Sequence, residues 1–200
     1  MKLYYFPGAC SLAPHIVSKE AGIDLELINT DIRAHKLEDG SDYFDINPKG
    51  CIPALALDDG QLLTEGPVVS QYLADLKPEA KLAPAAGTIE RYRVQEWLGY
   101  INSDIHKLYT PLVRQAAEDI QRAAKESLNT RFIYVNNALK GKDFLVGEHF
   151  TIADAYMFVM ILWANHLKLD ISKFDALNAY FGRIVARPAV QAALKAEGLA

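Results

Sequence analysis

Tyr4-Tyr5-Phe6-Pro7-Gly8-Ala9-Cys10-Ser11-Leu12-Ala13-Pro14 is the stretch from which the rest of the chain can be read. The apolar, aromatic run from Leu3 to Phe6 predicts a strand, Pro7-Gly8 breaks it, and Pro14 falls in the first turn of a helix, where proline is tolerated. Cys10 and Ser11 therefore stand at a helix N-terminus. Unpaired backbone N–H groups and the positive end of the helix dipole favour thiolate over thiol there, so the position suits a reactive sulfur. The competing reading is a buried structural cysteine, because free cysteine is among the most buried residue types.

Beyond this stretch, Leu12, Ile16 and Val17 keep helical spacing as far as Gly22, and Ile23 to Ile28 predicts a second strand. Strand, helix, strand is the signature of a parallel βαβ unit. Asp31 to Asp45, with His35, Lys36 and Gly40, is polar and predicts a mobile connecting segment with one short helix, suited to a binding loop. Asn47-Pro48-Lys49-Gly50-Cys51-Ile52-Pro53 follows. It leads into strands at 54–57 and 61–63, joined by Asp58-Asp59-Gly60, a strong hairpin signal. Thr64-Glu65-Gly66-Pro67 opens a further helix with Pro67 as a good first residue and Val68, Val69, Tyr72, Leu73 and Leu76 as its apolar face. Residues 1–78 thus predict an α/β domain of order βαβ-ββα with a four-stranded mixed sheet.

Lys77 to Thr88 turns to Pro, Ala, Lys and Gly, a composition that joins domains, and 88–200 keeps only helical periodicity. Trp97, Leu98, Ile101, Ile105 and Leu108 form one stripe; Leu128, Phe132, Val135 and Leu139 a second; Leu177, Tyr180, Phe181, Ile184 and Val185 a third. Thr151-Ile152-Ala153-Asp154 reads as a capping box before the apolar run Ala155 to Ala164, which is too short to cross a bilayer and predicts a buried helix.

Composition narrows the function classes. The chain has 200 residues, 50% of them hydrophobic and 23% charged, with a net charge of −4 and no block of like charges, which argues against a nucleic-acid partner. The opening Met1-Lys2-Leu3-Tyr4-Tyr5 goes straight into a strand pattern without a secretory leader, so cytoplasm is the expected location, with no membrane role. Cys10 and Cys51 are too few for a disulfide framework or a cysteine-based zinc site, so no metal is expected.

A βαβ-ββα unit with a cysteine opening its first helix and Ile52-Pro53 before its third strand resembles the thioredoxin fold, in which that proline is cis. Cys10 is followed by Ser11, Leu12 and Ala13, so the second thiol of a Cys-x-x-Cys motif is missing and any thiol that Cys10 meets would belong to a ligand. With the helical second half, the whole chain resembles a cytosolic-type glutathione transferase of the bacterial beta class. The resemblance rests on Tyr5, Cys10-Ser11, Asn47-Pro48-Lys49-Gly50 to Pro53, Thr64-Glu65-Gly66, His106-Lys107, Phe150 to Tyr156, and Arg187-Pro188.

That resemblance implies an enzyme that conjugates glutathione thiolate to hydrophobic electrophiles, with glutathione as co-substrate, in a homodimer. It implies Cys10, Tyr5, Ser11, His106 and Lys107 as catalytic residues, with thiol–disulfide exchange through a Cys10–glutathione mixed disulfide as an added possibility. For glutathione binding it implies Ile52, held by Pro53, as the backbone partner of the cysteinyl part and Glu65 as the attraction for the γ-glutamyl ammonium. Gly66 offers a bare N–H to the γ-glutamyl carboxylate, and Cys10 and His106 lie at the sulfur. The alternative for Glu65 is a helix-capping carboxylate. Asn102, Ser103, His106, Tyr109 and Thr110 share the helix face opposite the apolar stripe, and the electrophile is expected near Tyr109, Leu112 or Trp163. His106 is expected to hydrogen-bond or exchange a proton near neutral pH.

Three positions depart from the family pattern. His35 stands where a lysine is usual, with Lys36 beside it; either reaches the glycyl carboxylate, His35 as a cation only when protonated, which predicts weaker glutathione binding as pH rises past neutrality. Gly99 replaces an asparagine and loses a polar contact, leaving Ser103 and Asp104, the latter able to reach glutathione in a partner subunit. Cys51 is either a small strand-edge residue or a second oxidation-sensitive thiol. A non-catalytic binding or regulatory protein of the same fold is the alternative function.

Overall fold

The structure is a computed structural model that describes all residues, Met1 to Ala200. It divides into two compact units, Met1–Ala83 with Arg187–Ala200, and Pro84–Ala186. The sequence reading carries the helical domain from 88 to the C-terminus; the terminal segment instead belongs to the compact unit of the N-terminal sheet.

In the first unit, β1 (Lys2–Tyr5), α1 (Leu12–Glu20) and β2 (Glu26–Asp31) form the expected parallel crossover, with Tyr4 paired to Ile28. β4 (Ala54–Ala56) runs antiparallel to β1, and β5 (Leu62–Thr64) closes the predicted hairpin, its turn fastened by the Gly60 N–H donating to the Leu57 carbonyl at 3.1 Å. The sheet has five strands, not four, in the order β3-β2-β1-β4-β5. The extra strand is β3 (Lys36–Leu37), antiparallel to Thr30 and Asp31, inside the segment expected to be a mobile connection. Its polar residues do not hide a core face because it is an edge strand, and edge strands carry charge without cost. The short helix expected in this segment is a single 3₁₀ turn at Tyr43–Asp45, capped by the Asp42 side chain accepting the Phe44 N–H.

Alternation along β1 turns Leu3 and Tyr4 to opposite faces of the sheet. Tyr4 packs with Tyr43 and Ala54, with Ile28, Leu37, Ile46, Ile52 and Leu62 around them. α2 (Gly66–Asp75) packs against α1, and α1 against α8 (Pro188–Ala196), with Leu12, Ile16, Val17, Val69 and Leu73 fully buried. Each fully buried aliphatic side chain of this kind stabilises by about 1.5–3 kcal/mol relative to exposure.

The second unit is helical: α3 (Ile89–Tyr100), α4 (Thr110–Val113), α5 (Glu118–Ala138), α6 (Ile152–His166) and α7 (Asp175–Val185). The apolar run makes α6 a central helix, buried on every side from Ile152 to Ile161, and packed on α3 and α7. Its start is a capping box, in which the Asp154 carboxylate accepts the N–H and hydroxyl of Thr151 at 2.8 and 2.9 Å, together with the Leu145 N–H and the Tyr180 hydroxyl, each at 2.9 Å. No helix is long and apolar enough to cross a membrane.

Candidate functional site

The turn before Cys10 is closed by backbone and by Ser11. Ala9 N–H donates to the Phe6 carbonyl at 3.0 Å, and the buried Ser11 hydroxyl takes the Phe6 N–H and donates to the Phe6 carbonyl, both at 3.3 Å. α1 starts directly after this turn, Ser11 already having helical dihedrals, so Cys10 sits at the helix entrance as the sequence predicts. Its Sγ donates to the Ile52 carbonyl at 3.4 Å. Burial pushes the Cys10 thiol up to about 12, against the N–H groups of Cys10 and Ser11, which pull it down. The helix entrance therefore acts in the expected direction and is outweighed: at neutral pH Cys10 is a thiol, not the thiolate that its position alone suggests. The residue as a whole is only partly buried.

Tyr5 ends β1 with its ring centroid 6.5 Å from His15. Burial first, then Glu197 and Glu38, push its phenol above the ordinary value, so it remains an O–H donor. Sequence reasoning missed what holds this turn from its other side. Glu197, just past α8, is buried; its Oε1 lies 2.8 Å from His15 Nδ1 and its Oε2 accepts the Gly8 N–H at 2.8 Å. Leu199 methyls come to 3.6 Å from where a Gly8 Cβ would lie. No local pattern marks a histidine and a glutamate that are 182 positions apart as partners.

Ile52-Pro53 is cis, as the resemblance implies. The preceding loop is fixed by two donors on one carbonyl: the Tyr43 hydroxyl at 2.9 Å and Asn47 Nδ2 at 2.7 Å both reach the Cys51 oxygen. Gly50 has φ +63°, a backbone conformation that favours glycine, and a Cβ there would lie 2.6 Å from the Phe44 ring, which would have to move aside. Asn-Pro and Gly marked a turn in the sequence; its service to Ile52 needed the fold. Cys51 is exposed, its Sγ 3.3 Å from the Lys49 carbonyl.

Glu65 stands just before α2 at φ +71°, a region that a residue with a Cβ rarely enters, and such strain gathers at functional sites. Its side chain does not cap the helix. Instead Oε1 meets Lys49 Nζ at 2.8 Å, and the same ammonium donates to Thr64 Oγ1 at 2.9 Å. Gly66 opens α2 beside Pro53. His35 also has a positive φ, +52°; its ring lies tilted by 31° against Phe44 with centroids 4.4 Å apart, and its Nδ1 is buried with no partner. Lys36, in β3, lies 3.6 Å from Asp42. The structure thus brings Cys10 to Ile52 and Pro53 to Gly66 within the first unit.

In the second unit the predicted continuous helix is interrupted. α3 gives way at Ile101–Ile105 to a π turn and at His106–Tyr109 to a 3₁₀ turn, a combination often found at functional positions. His106 Nδ1 lies 2.5 Å from the Tyr156 hydroxyl, which donates to Asn102 Oδ1 at 3.1 Å. The rings of Tyr156 and Trp163 meet His106 edge-on at 5.9 and 5.0 Å. Burial, then the Lys107 charge, push His106 down to about 4, so it is neutral at pH 7 and does not carry a proton on and off near neutrality as the sequence suggested. Lys107 is exposed.

The face expected to gather Asn102, Ser103, His106 and Tyr109 is divided by the π turn. Ser103 is exposed, 2.9 Å from the Gly99 carbonyl and 2.6 Å from Asp104, which also pairs with Arg131 at 3.5 Å. Nothing lies within 4 Å of a Cβ built on Gly99, so the position is open. Tyr109 is buried and donates to the Met160 carbonyl at 2.6 Å, and Leu112 is buried; Trp163 keeps part of its surface. No cluster of His, Cys, Asp or Glu suited to a metal ion forms.

This set of groups, a thiol donor at a helix entrance beside a cis-proline in a thioredoxin-like sheet, followed by an all-helical unit, defines a thiol-handling transferase fold, and the comparisons say which. The family model for the glutathione S-transferase N-terminal domain matches residues 8–76, and that for the C-terminal domain matches 97–188. Glutathione S-transferase GstA of Escherichia coli O157:H7 is 47% identical over 200 residues, covering 100% of both chains. A bacterial beta-class glutathione S-transferase from Sphingomonas chungbukensis superposes with a TM-score of 0.97 at 43% identity, covering 100% of both chains. A sphingomonad glutathione S-transferase complexed with glutathione gives 0.95 at 44%, again over 100% of each chain. The chain belongs to the glutathione S-transferase family, on the side of its bacterial beta class, and is a glutathione transferase with glutathione as co-substrate. The non-catalytic alternative falls with that result.

Proposed function

We propose that the enzyme binds glutathione against residues 1–78, stabilises its sulfur as a thiolate, and directs it at a hydrophobic electrophile supported by the helical unit, Pro84–Ala186. The observation that carries this reading is the Cys10 Sγ–H held on the Ile52 carbonyl beside cis-Pro53. When the backbone of glutathione takes the place of the thiol on Ile52, the neutral Cys10 turns its one S–H to the sulfur of glutathione, and a donor there favours the thiolate. Ile52 pairs with the cysteinyl backbone of glutathione; Glu65 draws the γ-glutamyl ammonium, for which it must share Lys49; Gly66 gives its N–H to the γ-glutamyl carboxylate. His35, with an unpartnered Nδ1, is the better candidate for the glycyl carboxylate than Lys36, which Asp42 already holds.

Tyr5 adds a phenolic donor, and Ser11 acts by holding the turn rather than by touching the sulfur. Neutral His106 with cationic Lys107 completes the polar set around the sulfur, and Trp163 offers the electrophile an aromatic surface. Gly99, Ser103 and Asp104 are secondary contacts to glutathione, Asp104 from a partner subunit. A homodimer is supported by the exposed Phe44, Ile89, Tyr92 and Tyr134, and a cytoplasmic location by two free cysteines, which stay reduced there.

Conjugation of glutathione to an activated aryl halide tests the reading in Cys10→Ala and His106→Asn. The expected result is a fall in kcat of about tenfold or more in each; full activity in both overturns the assignment of the sulfur site. Thiol–disulfide exchange is the second reading, favoured by Cys10 being a free cysteine in a residue that is only partly buried. Cys10–SH and oxidised glutathione give the Cys10–glutathione disulfide plus one glutathione, which takes the proton. Intact-mass analysis after incubation with oxidised glutathione shows one adduct that is lost in Cys10→Ala, and absence of the adduct removes this second activity.

A further inference from the structure

We propose that Asn102, Tyr156 and His106 form a directed hydrogen-bond chain that fixes His106 in one neutral tautomer, with the proton on Nδ1 and the lone pair on Nε2. The argument is one of proton counting. Tyr156 is 4% exposed and has a single hydroxyl proton, which it donates to Asn102 Oδ1 at 3.1 Å. A carbonyl oxygen only accepts, so the proton is committed to that side. The contact of 2.5 Å between the Tyr156 oxygen and His106 Nδ1 is then a hydrogen bond only if Nδ1 is the donor. Nε2 is left as the acceptor of the ring.

The backbone supplies the geometry. The π turn Ile101–Ile105 followed by the 3₁₀ turn brings Asn102 and His106 to the same hydroxyl, although it sends Ser103 and Asp104 elsewhere. Trp163 against the His106 ring at 5.0 Å limits its rotation, so the two nitrogens cannot exchange places by a ring flip without repacking. Tyr156 and Asn102 are thus positioning residues: the first orients the ring, and the second decides which way the hydroxyl points. The functional meaning of the chain rests on the place given to His106 at the glutathione sulfur, where a bare Nε2 accepts a proton or a hydrogen bond and a protonated Nε2 would donate one.

The test is long-range ¹H–¹⁵N correlation spectroscopy on protein labelled at histidine, with His106 assigned by the signal lost in His106→Gln. Wild type at pH 7 is expected to show protonated Nδ1 and bare Nε2. In Asn102→Leu, Tyr156 keeps its place but loses its acceptor, turns its proton to Nδ1, and moves the ring proton to Nε2. Asn102→Asp, which only accepts, restores the wild-type pattern. Should Asn102→Leu fail to fold, Tyr156→Phe serves, with loss of the single fixed tautomer expected. Protonated Nε2 in wild type, or a pattern untouched by Asn102→Leu and Tyr156→Phe, overturns the proposal. Parallel kinetics keep the two readings apart: Asn102→Leu is expected to lower kcat about tenfold or more at unchanged KM for glutathione. A switched tautomer with unchanged kcat leaves the chain standing and removes His106 from the sulfur site.

Discussion

Cys10 is subject to two opposed influences, and their sizes decide its chemistry. The N–H groups at the entrance of α1 lower its pKa, burial raises it, and burial wins, placing it at about 12. Alkylation by iodoacetamide should therefore be slow at pH 7 and still rising at pH 10, with Cys51 the thiol modified first; a reactivity plateau for Cys10 below pH 9 would contradict this. Glu65 shows a different balance. Its ion pair with Lys49 leaves both side chains more than half exposed, 56% and 58%, so the pair stabilises the fold by less than about 1 kcal/mol. Glu65→Gln should leave Tm almost unchanged while raising the KM for glutathione severalfold, and Glu65→Gly should relieve the φ of +71° without restoring KM. A Tm loss as large as the KM effect would make Glu65 a structural residue.

α6 depends on its first turn. Asp154 is wholly buried and its two oxygens accept four hydrogen bonds, from Leu145, Thr151 twice and Tyr180. Asp154→Ala strands those donors and should destabilise by about 3–5 kcal/mol, seen as a large fall in Tm or failure to fold, with Asp154→Asn intermediate. The π and 3₁₀ turns after α3 carry a second consequence. His106 is pushed down to about 4 by burial and Lys107, whereas an unfolded histidine titrates near 6.5. Between those values the unfolded chain binds a proton that the native protein does not, so stability falls as pH drops through this window. The penalty reaches about 3 kcal/mol below pH 4 at 1.36 kcal/mol per pK unit. The Tm advantage of wild type over His106→Gln should shrink between pH 6.5 and pH 4; a constant difference would show that His106 titrates normally.

The last residues of the chain belong with the first. Glu197 binds His15 and the Gly8 N–H, and Arg187 holds Glu20 through two contacts, at 2.6 and 2.9 Å, so the C-terminal segment braces both ends of α1. Glu197→Ala takes the carboxylate away from the buried His15 Nδ1 and from the Gly8 N–H and should cost about 3–5 kcal/mol. Where the protein still folds, alkylation of Cys10 should speed up as its turn loosens. Unchanged Cys10 reactivity would confine Glu197 to stability alone.

Much of this molecule was legible along the chain because the signals are local. Asp59-Gly60, Pro67, the Thr151 to Asp154 box and the apolar run after it each act within a few residues and lie where the sequence places them, whereas the period-3.6 stripe from Trp97 to Leu108 does not show the π and 3₁₀ turns that interrupt it. β3 was not legible, since a two-residue edge strand of one exposed lysine and one half-buried leucine is too short to show an alternating pattern. Nor were the thiol state of Cys10, the neutral charge of His106, the turn of Asn102 and His106 onto Tyr156, or the pairing of His15 with Glu197. Each of these depends on what surrounds a side chain once distant segments have packed, and desolvation and buried hydrogen bonds exist only after that packing.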